Sequence, residues 1–293
     1  MLAITTKNGR PVKAAKMSTA YFRRNYGYIS FGNKKLVSGN DIKMLIFNVI
    51  SKGISDDDFF ETLSRPDKFQ YFGGVSFDIG ASIEKAENMF ENGYFRACPY
   101  STPHCERFCY DYLAQSGYHR KSMLPSRIRN FLFSLSPVFV PVMIEYIEYL
   151  LETPSFKKAK KVFFRFHEGG EMYNQEYTDK IMTIAAHFKD NKKIRFYTYT
   201  KSFPFLYKYE KAGGGHTYDD YITVNGSLWD DSPAEFIEYV RRQKMPFYTV
   251  VSAADMAAFR ETFKALKIVI CKCTDCGHCA ACAAHCGKVV EQH

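Results

Sequence analysis

From about residue 66 onward the chain alternates between two textures. Short apolar runs rich in β-branched and aromatic residues occur at FQYFGGVSFDI (69–79), KVFFRFH (161–167), IRFYTYT (194–200), YITVNGS (221–227), PFYTVVS (246–252) and KIVIC (267–271). These six read as strands. Between them lie longer stretches with apolar residues at helical spacing, such as SPVFVPVMIEYIEYLLE (136–152), NQEYTDKIMTIAAHF (174–188), SPAEFIEYVRRQ (232–243) and SAADMAAFRETFKAL (252–266). Each opens on Ser or Asn, residues suited to an N-cap. Strand alternating with helix predicts a parallel sheet, because parallel neighbours need a crossover between them. The expected fold is therefore α/β: a partial (β/α)6 TIM-like barrel over residues 66–270, with an open doubly wound sheet as the other arrangement of six such units. Residues 1–65 read as an N-terminal extension, a basic lead-in followed by a helical pattern, IKMLIFNVISKGI (42–54), and an acidic turn at Asp56–Asp58. Residues 271–293 form a cysteine-rich tail.

In parallel α/β folds chemistry gathers at the C-terminal ends of the strands, and those ends are polar here. The first strand runs toward a cysteine loop. The second ends in His167, Glu168, Gly169, Gly170 and Glu171, the third in Thr198, Tyr199, Thr200 and Lys201, the fourth offers Asn225 and Ser227, and the fifth Ser252 and Asp255. The sixth enters the tail. Paired glycines let a ligand approach the backbone, and a strand-end carboxylate accepts hydrogen bonds from an ammonium group. A plain turn explains Gly-Gly-Glu equally well, capping explains Asn225, Ser227 and Ser252, and Lys201 also reads as a solvated loop residue.

Composition narrows the class. With 293 residues and 46% hydrophobic content the chain can bury a real core. No apolar run approaches membrane-spanning length, and the opening MLAITTKNGR lacks the apolar stretch of a signal peptide. No membrane partner is expected, and a cytoplasm is the expected compartment. The formal charge of +9 fits either a solvated surface or attraction to nucleic acid, and the basic residues are spread thinly among acidic ones.

Cysteine usage carries the chemistry. All nine cysteines fall in two bursts: Cys98, Cys105 and Cys109, then Cys271, Cys273, Cys276, Cys279, Cys282 and Cys286. Thiols repeated at short gaps in a reducing compartment favour metal over disulfides. The first burst has spacing C-x6-C-x3-C. Three thiolates can hold three corners of a 4Fe-4S cluster and leave the fourth iron open to a ligand. A zinc site completed by His104 or a distant ligand is the alternative. The second burst contains C-x2-C-x2-C-x3-C from Cys276 to Cys286, the run of bacterial ferredoxins, and with His278 and His285 it also fits a zinc knuckle.

A three-cysteine loop after the first strand, Phe108 before its last cysteine, Gly169-Gly170-Glu171 at the end of the second strand and six βα units together resemble the radical S-adenosylmethionine enzymes. The resemblance implies that Cys98, Cys105 and Cys109 bind a 4Fe-4S cluster chelating the cofactor's methionine group, and that Gly169, Gly170 and Glu171 lie along S-adenosyl-L-methionine. Glu168, Thr198, Lys201, Asn225 and Ser252 are the further cofactor-binding candidates. The loop departs from the usual C-x3-C-x2-C spacing, and Met172 stands where a Pro commonly follows Gly-Gly-Glu. Over about residues 70–280 the chain is closer to a phage-encoded group, the gene product 88 family, through Cys98–Tyr110, Arg129-Asn130, Glu168–Glu171, Tyr197–Ser202 and Cys273–Cys279.

The expected function is thus an iron–sulfur enzyme of radical S-adenosylmethionine type with an auxiliary cluster in the tail. The electron donor would be a flavodoxin or ferredoxin, the substrate nucleic acid or a nucleotide, and the compartment the host cytoplasm if phage-encoded. A zinc-stabilised nucleic-acid-binding protein and an iron–sulfur electron carrier or redox sensor are the alternatives. No catalytic residue is singled out by sequence.

Overall fold

The computed structural model describes residues 31–36, 42–51, 71–72, 75–76, 97–117, 120–213, 218–251, 269–271 and 289–292, with separate positions between 82 and 89. Its centre is an eight-stranded sheet. The strands are β1 (Phe31–Leu36), β2 (Ile42–Phe47), β5 (Lys161–Phe166), β6 (Ile194–Thr200), β7 (Ile222–Leu228), β8 (Phe247–Val251), β9 (Val269–Cys271) and β10 (Val289–Gln292); β3 (Tyr71–Phe72) and β4 (Val75–Ser76) form a separate antiparallel pair. Sheet order is β1-β2-β5-β6-β7-β8-β10-β9. Only β1 pairs antiparallel; every other ladder is parallel.

Two expectations are corrected. IKMLIF, read as the start of a helix within an N-terminal extension, is strand β2, hydrogen-bonded in register to β5 (Ile46 opposite Arg165, Phe47 opposite Phe166). Lys43 to Phe47 are buried, and a strand covered on both faces loses its alternation and reads as one apolar run, which periodicity alone cannot tell from a buried helix. Conversely FQYFGGVSFDI is not the first strand of the sheet: its Tyr71–Phe72 and Val75–Ser76 make the small hairpin across the two glycines. The sheet therefore begins inside the segment read as an extension. It also gains β10 at the end of the cysteine-rich tail, between β8 and β9. The expected helix over 252–266 lies outside the described residues.

From β2 to β8 each successive sheet strand joins beyond the last, so the order never reverses as it does in a doubly wound sheet. Crossovers of one hand added in one direction stack on one face. The described helices do so. They are α1 (Pro103–Arg107), α2 (Tyr110–Ser116), α3 (Arg120–Leu135), α4 (Phe139–Glu152), α5 (Pro154–Lys157), α6 (Gln175–His187), α7 (Phe203–Ala212) and α8 (Ala234–Arg242). One large core unites Phe131, Phe139, Ile147, Ile181, Leu206 and Val240 from α3, α4, α6, α7 and α8 with Phe47, Phe164, Phe166, Phe196 and Val224 from the strands. Each fully buried aromatic or aliphatic side chain there contributes roughly 1.5–3 kcal/mol. The opposite face holds a small cluster made of strand residues, Met44, Ile46, Phe163 and Tyr197. Among the described residues the sheet remains open, with β1 and β9 at its edges.

Capping explains one helix start as the sequence suggested: Asn174 accepts the Tyr177 N–H at 2.8 Å at the head of α6. The Ser136 and Ser232 side chains instead accept from Val138 and Trp229, bracing the turns before α4 and α8.

Candidate metal centre

The first cysteine loop is folded by its own short hydrogen bonds. Cys98 O accepts from Ser101 N at 3.1 Å, closing a turn around Pro99. Thr102 caps α1, its hydroxyl accepting from Cys105 N at 3.3 Å with Pro103 at the first helical position. Cys109 is itself the N-cap of α2, its sulfur accepting from Tyr112 N at 3.4 Å. One sulfur thus precedes a turn, one sits within a one-turn helix and one heads the next helix. All three thiols are free and partly buried.

The loop is pinned to the strand ends at several points. Tyr110 donates to Glu168 O at 2.7 Å. His104 N–H donates to Asp231 at 2.8 Å and the His104 ring pairs with Asp230 at 2.7 Å, both carboxylates lying just past β7. Phe108 stacks on Trp229 with planes 5° apart, and Tyr100 packs edge-on against Phe205 and Phe236.

Beneath the loop lies a buried framework that sequence reasoning missed. Asp111 on α2 and Arg127 on α3 form a bidentate pair at 2.5 and 2.7 Å, and Arg127 also donates to Gln115 Oε1 at 3.2 Å. Gln115 in turn accepts from Ser51 N–H. Asn48, after β2, accepts the N–H groups of Glu168 and Gly169 at 2.7 and 3.0 Å, while its own carbonyl accepts from Asn130 at 2.8 Å. Asn130, singled out by resemblance, thereby holds the Gly-Gly-Glu segment through Asn48. Arg129 beside it donates to Ser126.

The paired glycines have a packing cause. A Cβ on Gly169 would lie 1.8 Å from Asp111 Oδ2, and Gly170 has φ of +83° with Val49 Cγ2 and Ile50 O close by. The side-chain space of both is taken by protein.

Glu171 and Lys201 meet beside the sulfurs. Lys201 Nζ lies 3.5 Å from Glu171 Oε2, both side chains almost fully buried, and Oε2 also accepts the Lys201 N–H at 3.1 Å while Oε1 accepts the Met172 N–H. Cys105 and Cys98 are within electrostatic reach of the Lys201 ammonium. Burial works against its charge, but Glu171 and the thiols more than compensate and raise its pKa. Lys201 is therefore no solvated loop residue. Burial pushes the Cys98 thiol well above the usual range, with the Lys201 ammonium opposing it, and Cys109 is raised by burial against the Tyr112 N–H. Thiols held protonated are weak nucleophiles, whereas a bound cation would supply the charge needed to ionise them.

Of the other candidates, Thr198 is buried, donating to Phe166 O at 2.9 Å and lying 3.4 Å from His167 Nδ1. Asn225 donates to Thr198 O at 3.2 Å, between strands. His167, with φ of 65°, is fixed by the Tyr177 hydroxyl at 2.9 Å, and burial together with Arg165 lowers its pKa to about 3. Ser252 and the side chains of Cys271, Cys273, Cys276, Cys279, Cys282 and Cys286 lie outside the described residues.

Three thiolates on one zinc would stand about 3.8 Å apart by tetrahedral geometry. Among the described residues the one trio of ligand atoms within 4.8 Å of one another is His104, Asp230 and Asp231, so the three cysteine sulfurs do not all stand that close together. His104 joins the two carboxylates and no sulfur there. Three soft thiolate donors on one loop have the chemistry to hold an iron–sulfur cluster or zinc.

A partly buried three-thiol centre at the C-terminal edge of a largely parallel sheet is thus the class of site the fold defines. The chain belongs to the Gene product 88 family, whose model matches residues 66–285. No curated protein and no solved structure is found to match it.

Proposed function

We propose that this protein is an iron–sulfur enzyme of radical S-adenosylmethionine type, in which Cys98, Cys105 and Cys109 hold a 4Fe-4S cluster and the sheet is the wall of a partial (β/α) barrel. One observation carries the reading: three thiols from a single loop are brought over the ends of β5 and β6, against the buried Glu171–Lys201 pair. When bound, such a cluster supplies one electron and an open coordination position for the amino and carboxylate groups of the cofactor.

The protein's own residues do the rest by position. Asn48 and Asp111 fix the Gly169–Gly170 backbone, so Glu171 is presented without slack. Glu171 accepts from Met172 and Lys201, leaving lone pairs for a ligand ammonium, and Lys201 places a positive charge among thiolates that would otherwise repel. The Phe108–Trp229 stack and the Tyr110 bond to Glu168 O hold the loop against the strand ends. A flavodoxin or ferredoxin as electron donor, and an auxiliary cluster on the tail cysteines, belong to this proposal.

The testing experiment is anaerobic purification followed by iron, sulfide and zinc analysis with a visible spectrum. Broad iron–sulfur absorption is expected, with Cys105→Ala removing about four irons and sparing any tail cluster. A colourless protein with stoichiometric zinc would overturn the reading and favour a zinc-stabilised binding protein.

A further inference from the structure

Arg165 lies on the face of the sheet opposite the described helices. It is 7% exposed. Its cross-strand neighbours in register are Ile46 and Tyr197, and its guanidinium lies 4.9 Å from the Tyr199 ring and 6.0 Å from that of Tyr197. Its Nε donates to His167 O at 3.0 Å, which turns the side chain along the strand toward the C-terminal edge. Tyr110, directly after Cys109, and Glu168 are within electrostatic reach there.

What the guanidinium lacks is an anion. Among the described residues no carboxylate forms an ion pair with Arg165, and its two terminal nitrogens have no acceptor, whereas the other deeply buried arginine, Arg127, is clamped by Asp111. Burial works against the charge and Tyr110, Tyr197, Tyr199 and Glu168 favour it, yet none of them gives the terminal nitrogens a hydrogen bond. A planar fork with two free donor nitrogens matches an oxyanion bidentately.

We propose that Arg165 is an anion-recognition residue on the face of the sheet opposite the described helices, holding a phosphate or carboxylate of a small-molecule ligand beside the three cysteines. Tyr197 and Tyr199 hold the guanidinium flat, and His167 O fixes its outward reach. That an oxyanion binds follows from this face alone; that the ligand is the enzyme's substrate rests on the proposed iron–sulfur function.

The test is calorimetric titration of the full-length protein with inorganic phosphate, a 5′-mononucleotide, the corresponding nucleoside and acetate, alongside its iron content. Saturable binding of an oxyanion with none by the nucleoside is expected. Preference for phosphate and nucleotide identifies a phosphate source, and preference for acetate a carboxylate. Arg165→Met should weaken the bound anion at least tenfold, while Arg165→Lys, a point charge without the fork, falls between. No saturable anion binding by the wild type, or undiminished binding by both variants, would overturn the proposal. Anion binding by iron-free protein would uphold the anion site and sink the enzymatic reading.

Discussion

Adding one carbon at position 169 drives it into the Asp111 carboxylate, which Arg127 holds in place from behind. Gly169→Ala should therefore destabilise by more than Gly170→Ala, whose strain at φ of +83° is worth about 1–3 kcal/mol, as urea denaturation would show. Asp111→Ala leaves Arg127 buried without its partner and should lose about 3–5 kcal/mol by the same measurement. His167 gives a pH signature. Its folded pKa of about 3 is far below the ordinary 6.5, so the unfolded chain binds the extra proton as pH falls. Its contribution to stability is complete above pH 6.5 and is lost between there and about 3, by at most about 1.4 kcal/mol per pH unit. Melting temperatures at pH 7, 6 and 5 should fall less for His167→Gln than for the wild type. At this scale the sequence displayed the reactive residues but hid their supports. Cysteine spacing and the glycine pair were readable, whereas Asn48, Asp111, Gln115 and Arg127 act through contacts between residues 12 to 121 positions apart, which no local pattern encodes.

Elements were legible where their apolar pattern was of ordinary length. IRFYTYT is β6 residue for residue, and KVFFRF, ITVNGSL and FYTVV follow the predicted runs to within a residue or two. IKMLIF failed because burial on both faces erases the alternation that marks a strand, and FQYFGGVSFDI failed because two glycines fold it back on itself. Helix α2 offers a test separating structure from chemistry, because Cys109 both heads it and is a proposed ligand. Cys109→Ser keeps an N-cap acceptor and Cys109→Ala removes it. Among metal-free proteins the alanine variant should be about 1 kcal/mol less stable than the serine variant, while both lose bound iron. Equal stability would show that the cap at Tyr112 contributes nothing.

For the whole molecule, alternation of strands and helices correctly implied a parallel sheet, and the unreversed strand order explains why helices cover one face and polar strand ends collect with the cysteine loop at one edge. No described helix is long and apolar enough to cross a membrane. The net charge of +9 gave no comparable guidance, because charge totals speak to partners and solubility rather than to fold. The proposal that an open-cornered cluster sits on Cys98, Cys105 and Cys109 is tested most directly by electron paramagnetic resonance of the anaerobically reduced protein before and after S-adenosyl-L-methionine is added. The expected result is a reduced 4Fe-4S signal of which one component changes on addition, that responsive component being absent in Cys105→Ala. A signal indifferent to the cofactor, or no iron signal in intact protein, would contradict it.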